Sequence, residues 1–185
     1  MKIKLIFLVA FSCLCISCSS SKKTAYTISQ IENLDQLIHS KKFEIQSDWA
    51  YPMVTNSISQ IANSGLLQPG SSANAINLIG NANYFKIDQD SISMYLPFFG
   101  ERRLSTTYNS QDVAIQFNGQ PSDLKIQKND SKQVYEIRFS AKTNNDNHDV
   151  FITLAPNLTG TIAINSTFRT AINYKGAIIA LSDKK

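Results

Sequence analysis

The sequence predicts a mainly β protein: an antiparallel meander forming a barrel-like or two-layer sandwich domain, with one N-terminal α-helix. Three observations carry this. From Phe43 onward, apolar side chains recur with a period of two. Between those runs lie clusters of Asn, Asp, Gly and Pro at spacings of about 8 to 16 residues, which suit hairpins and are too short for the crossover helices of parallel strands. The composition, 43% apolar and 17% charged in 185 residues, supports a single core.

The chain opens with an export signal. Lys2 and Lys4 precede an apolar run from Leu5 to Ile16, about a dozen residues, whereas a resident span needs about 20. The run ends in Cys15-Ile16-Ser17-Cys18, which resembles the lipobox of bacterial lipoproteins, with Cys15 where Leu is usual. Cys13, after Ser12, is a weaker match. The resemblance implies a signal peptide over 1–17 and lipidation of Cys18, by acyl chains such as palmitate. A polar tether over 18–24 and one domain over 25–185 follow. All three cysteines lie in this region, so the domain forms no internal disulfide and depends on its own core. Two or three acyl chains anchor a protein stably where one does not. Ser19 rather than Asp after the cysteine implies passage to the outer membrane, and Lys22-Lys23 in place of acidic residues implies the periplasmic face.

A helix follows the tether over Thr27–Lys42, where Ile28, Ile31, Leu34, Leu37 and Ile38 share one face. Ser29 and Glu32 have capping-box spacing, and Lys41-Lys42 suit the helix C-terminus. Strands are expected at Phe43-Ile45, Ile92-Leu96, Val113-Phe117, Leu124-Ile126, Tyr135-Phe139, Phe151-Thr153, Ile162-Ile164 and Phe168-Tyr174. Turns are expected at Asp88–Ser91, Asn118-Gly119, Lys128–Ser131, Asn144–Asn147, Pro156–Gly160 and Lys175-Gly176. Trp49–Ala75 is the least periodic stretch, read as one strand near Met53–Ile61 and then a loop.

Common catalytic and cofactor signatures are missing from the sequence. No two of the seven glycines lie within four residues of each other, so no dinucleotide or phosphate loop is built locally, and no cofactor is expected. With Lys2 and Lys4 removed, 16 basic side chains face 14 acidic ones, and the basic pairs are scattered, so no nucleic-acid partner is expected. Asp146-Asn147-His148-Asp149 and Asp88-x-Asp90 read as turn formers rather than metal sites.

The most distinctive run is Tyr95-Leu96-Pro97-Phe98-Phe99-Gly100-Glu101-Arg102-Arg103. Its aromatics and guanidinium groups could grip a sugar or an acidic ligand at a barrel mouth, or Phe98 and Phe99 could plug one end of the core. The candidate contact residues are Tyr95, Phe98, Phe99, Arg102, Arg103 and Trp49.

That run resembles the Tyr-Leu-Pro-Tyr-Phe-Gly signature of domain-of-unknown-function family 4251, a family of Bacteroidetes lipoproteins, with Phe98 in place of Tyr. Phe43-Glu44-Ile45, Ile76-Asn77-Leu78, Val113–Phe117 and Ile172-Asn173-Tyr174-Lys175-Gly176 match further parts of the pattern. Arg102-Arg103 depart from it, and Trp49–Ser72 is longer than usual. The resemblance implies a single lipid-anchored domain and no mechanism. The resulting expectation is a non-catalytic binding or envelope-accessory module. It would meet the membrane through its anchor, together with a small apolar or glycan ligand or an envelope protein. The alternative is a hydrolase of unfamiliar type using carboxylates such as Glu101 or Asp112 with Arg102 or Arg103.

Overall fold

The computed structural model describes residues 26–103, 113–143 and 146–181. Helix α1 (Ile28–Ser40) starts at Thr27, whose extended backbone lets its hydroxyl accept from the Gln30 N–H at 3.2 Å while its own N–H donates to Gln30 Oε1 at 3.0 Å. The capping box is therefore Thr27 with Gln30, not Ser29 with Glu32, because Ser29 already lies inside the first turn. Lys41, at φ 50°, ends the helix with its N–H on the Ile38 carbonyl. Leu34 and Ile38 are buried in the core, whereas Ile28 is exposed.

The strands are β1 (Lys42–Pro52), β2 (Ile76–Asn77), β3 (Tyr84–Asp88), β4 (Ser91–Pro97), β5 (Ala114–Gly119), β6 (Ser122–Asn129), β7 (Val134–Lys142), β8 (Asn147–Ala155), β9 (Thr159–Ser166) and β10 (Ile172–Ala180). A second helix, α2 (Asn56–Asn63), follows β1. The fold is mainly β and antiparallel, as expected. One sheet runs in the order β5-β4-β3-β1-β10-β9-β8-β7-β6, with β2 paired to β1. It curls into a half-barrel, so that Phe85 of β3 stacks on Phe139 of β7 with ring centroids 5.9 Å apart. Phe43, Ile45, Ile87, Ile92, Leu96, Ile137, Ile152, Ile162 and Tyr174 fill the interior, and each such side chain contributes about 1.5–3 kcal/mol on burial.

Strand direction explains one departure from the sequence reading. Nine strands alternate along the path, so the first and last, β5 and β6, point the same way. Asn118-Gly119 therefore cannot be a hairpin turn. Gly119 (φ 149°), Gln120 and Pro121 instead bend the chain so that β6 continues β5 into the other half of the sheet. Among the described residues no ladder joins β5 to β6, and the facing edge of β5 stays unpaired.

Other expectations are corrected by packing. Met53–Ile61 is not a strand: β1 runs on to Pro52, and α2 begins after Thr55, whose hydroxyl accepts from the Ile58 N–H, with Ile58 turned into the core. Lys175-Gly176 is not a turn but the middle of β10. Gly176 lies opposite Ser47, beside an irregularity in β1, and a Cβ there would collide with the Gln46 carbonyl oxygen. On β8 the inward residues are Val150, Ile152 and Leu154, so Phe151 and Thr153 face outward. A shift of one residue exchanges the two faces of a strand, and the more apolar set has gone inside. Strand β3 was not read from the sequence at all. Asn83, just before it, is buried and bonds both the N–H and the C=O of Ser47, taking the place of a strand partner at the irregularity.

Candidate functional site: an aromatic cleft on a closed domain

The two ends of the half-barrel are closed by different means. At the first, the Asp35 carboxylate of α1 accepts from Lys128 Nζ at 2.7 Å and from the Tyr135 hydroxyl at 2.9 Å, tying the helix to β6 and β7. Burial opposes ionisation of Asp35, but the hydrogen bonds from Lys128 and Tyr135 outweigh it and hold the carboxyl below its usual range. Burial, with the neighbouring Asp35, pushes the Tyr135 hydroxyl up to about 12.

At the second end the polar groups are buried. The chain leaving β4 lays Phe98 and Phe99 against the core, and Arg169 stands over the Phe98 ring at 5.1 Å. Arg169 Nε lies 3.4 Å from Asp146 Oδ2. Asp146 Oδ1 accepts from the N–H groups of Asn147 and Phe168. His148 shares a 2.7 Å hydrogen bond with the Ser166 hydroxyl, and the Tyr174 hydroxyl donates to the Pro97 carbonyl at 2.8 Å. Burial lowers the His148 imidazole against the pull of Asp146, with Arg169 adding to the lowering, and burial raises the Tyr174 hydroxyl well above its usual range. Asp146 is thus a turn former, as expected, that also pairs with Arg169. It closes the turn from Thr143, and Asn147 to Asp149 already belong to β8.

The backbone of Glu101 to Arg103 crosses onto Phe168–Thr170. Arg103 N–H donates to Phe168 O at 2.7 Å and Thr170 N–H donates to Glu101 O at 3.0 Å. Phe168–Thr170 therefore serves as a strap holding the Phe98–Arg103 segment, before β10 begins at Ile172.

A cleft of about 520 Å³ opens where the sheet bends, lined by Tyr84, Met94, Tyr95, Gln116, Phe117, Asn118, Lys142 and Thr143. Strand register builds it. Tyr84 lies opposite Tyr95, and Tyr95 opposite Gln116, so the three form a row across β3, β4 and β5. Lys86, Ser93 and Asn118 form the next row on the same face. The tyrosine rings stack at 6.4 Å with a 28° interplanar angle, and Lys86 Nζ sits 5.2 Å from the Tyr84 centroid while paired to Glu44 at 3.2 Å. Met94 and Phe117, opposite each other on the inner face, complete the lining from β4 and β5. Lys142 and Thr143 come from the far half of the sheet, at the end of β7.

The structure thus separates the residues singled out in the sequence. Tyr95 lines the cleft, whereas Phe98 and Phe99 pack on the core at the second end. Glu101, Arg102 and Arg103 are exposed beside the strap, and Trp49 sits half-buried in β1 opposite Lys175 and Asn77. Cys18 and Asp112 lie outside the described residues. Tyr84, Gln116, Asn118, Lys142 and Thr143 were not singled out. The one available signal was the alternation in Tyr84-Phe85-Lys86-Ile87 ahead of the Asp88–Ser91 turn, which would have set Tyr84 against Tyr95.

A family model described as Domain of unknown function (DUF4251) matches residues 26–178. The chain belongs to the DUF4251 family. The likeness extends to a solved fold: the crystal structure of a DUF4251 family protein from Bacteroides eggerthii DSM 20697 aligns with a TM-score of 0.53 at 13% identity. That alignment covers 82% of this chain and 88% of the other. A comparison with curated proteins finds no match. The family assignment brings a fold and no activity, so the reading of function rests on the cleft.

Proposed function

We propose that this DUF4251 protein is a lipid-anchored, non-catalytic envelope module of the outer membrane. In this reading it faces the periplasm and binds its ligand in the Tyr84–Tyr95 cleft. The cleft itself carries the reading. It joins two stacked aromatic rings, two side-chain amides and one ammonium group, while the interior is occupied by apolar side chains and both ends are tied shut. Pockets of this kind bind by surface complementarity and place few polar groups with care. The exposed position of Glu101 beside the strap gives the hydrolase alternative no support from burial. Anchoring at Cys18 is supported by the apolar leader, by the Ser17-Cys18 step and by the confinement of every cysteine to that region.

Two readouts test the proposal. Metabolic labelling with an alkyne palmitate should tag the wild-type chain and not Cys18→Ser, and Cys18→Ser should leave the membrane fraction. Full-length protein in detergent should be retained by envelope material stripped of lipid by detergent, where the anchor has nothing to enter, and Tyr95→Ala should abolish that retention without lowering the melting temperature appreciably. An unlabelled wild-type chain would refute the anchor. Retention indifferent to Tyr95→Ala would refute the cleft.

A further inference from the structure

We infer that the ligand of this cleft is an N-acetylated glycan carrying a carboxylate; the inference rests on the binding role proposed above and names its chemical class. The C–H face of a pyranose ring is weakly positive and packs on the negative face of an aromatic ring. Tyr84 and Tyr95, opposite each other on β3 and β4 with ring centroids 6.4 Å apart, put two aromatic rings in one row, with Lys86 Nζ already over the Tyr84 ring. That row continues into Gln116, and Asn118 lies one row on. Both side chains carry a donor and an acceptor, which is the pattern an acetamido group matches with its own N–H and C=O.

Among the described residues the outer edge of β5 has no strand partner, and its backbone N–H and C=O groups there point away from β4. Charge then selects among sugars. Among the described residues that line the cleft, Lys142 is the one charged side chain, and no Asp or Glu faces it. Lys86, on the same sheet face, is paired with Glu44. Among the described lining residues a carboxylate on the ligand would meet one ammonium group and no acid. A purely apolar ligand would leave the amides and the ammonium unused, and a nucleic acid would need a basic surface this face lacks.

Calorimetric titration of the full-length protein in detergent with three soluble sugars tests the inference. They are the N-acetylglucosamine–N-acetylmuramic acid disaccharide, neutral chitobiose and maltose. The acidic disaccharide should bind tightest, chitobiose about fivefold more weakly, and maltose not measurably. Lys142→Gln should bring the acidic disaccharide down to the chitobiose affinity and leave chitobiose unchanged. Tyr95→Ala should weaken both N-acetylated sugars by about tenfold or more, and Tyr95→Phe should restore them. No binding of the acidic disaccharide, or binding indifferent to Lys142→Gln, overturns the inference. If the sugars fail while Tyr95-dependent retention on envelopes persists, the ligand class is wrong and the module reading stands. If both fail, the cleft is not a binding site.

Discussion

The two ends of the half-barrel solve one problem at different depths. Each must hold a covering segment over the mouth of an apolar core, and each does so with an acid, a base and a tyrosine. At the α1 end the Asp35–Lys128 pair is about one-third exposed on both sides. At the Phe98 end Asp146 and Arg169 have side chains only 4% and 7% exposed. Water screens the first pair and not the second. The same kind of contact is therefore a modest clip in one place and a structural necessity in the other. Groups committed to closing an end are not available to a ligand. Among the described residues lining the cleft, Thr143 touches that machinery, through its hydrogen bonds with the Asp146 backbone.

Removing one member of the buried pair gives the largest expected effect. Arg169→Met should cost about 3–5 kcal/mol in urea unfolding, because Asp146 would be left as a buried charge. Gly176→Ala should follow at about 1–3 kcal/mol, since the added methyl meets the Gln46 carbonyl on a neighbouring strand. Tyr174→Phe should cost about 1–3 kcal/mol by stranding the Pro97 carbonyl, without altering retention on envelopes. Asp35→Asn should cost no more than about 1 kcal/mol. If Asp35→Asn proved as damaging as Arg169→Met, the contrast between the ends would fail.

Acidification should sharpen the contrast. The folded imidazole of His148 titrates below its usual value, so its contribution to stability is complete above about pH 6.5 and is lost as pH falls from there through the folded value. The folded carboxyl of Asp35 is likewise depressed, so its contribution is complete only above about pH 4 and is lost at more acid pH. Urea midpoints measured from pH 8 to pH 3 should fall in two stages, and His148→Gln should remove the upper one.

Much of the fold was legible in the sequence because burial on one face of a strand writes a period of two. Ile92-Met94-Leu96 and Ile162-Ile164 are examples. What escaped was set by partners remote in sequence. Gly176 looks like a turn residue until Gln46 and Ser47 are placed against it, and Asn118-Gly119 looks like a hairpin until the count of strands forbids one. Met53–Ile61 was misread because Ile58 and Ile61 fit a short helix as well as a strand, and Thr55 decides between them by capping. The candidate site was legible only at Tyr95. Its other walls come from β3, β5 and the end of β7, which only strand register brings together. Asp146 does close a turn, whereas His148 lies in β8; the buried roles of both escape the sequence because Arg169 and Ser166, their partners, lie about 20 residues further on.

The most direct test of the account is oxidative footprinting of the protein in intact envelopes against the same protein solubilised in detergent. The account requires protection of Tyr84 and Tyr95 in envelopes, with Trp49, Phe98 and Phe99 unchanged. Protection at Phe98, Phe99 or Trp49 while Tyr84 and Tyr95 react equally in both states would contradict it.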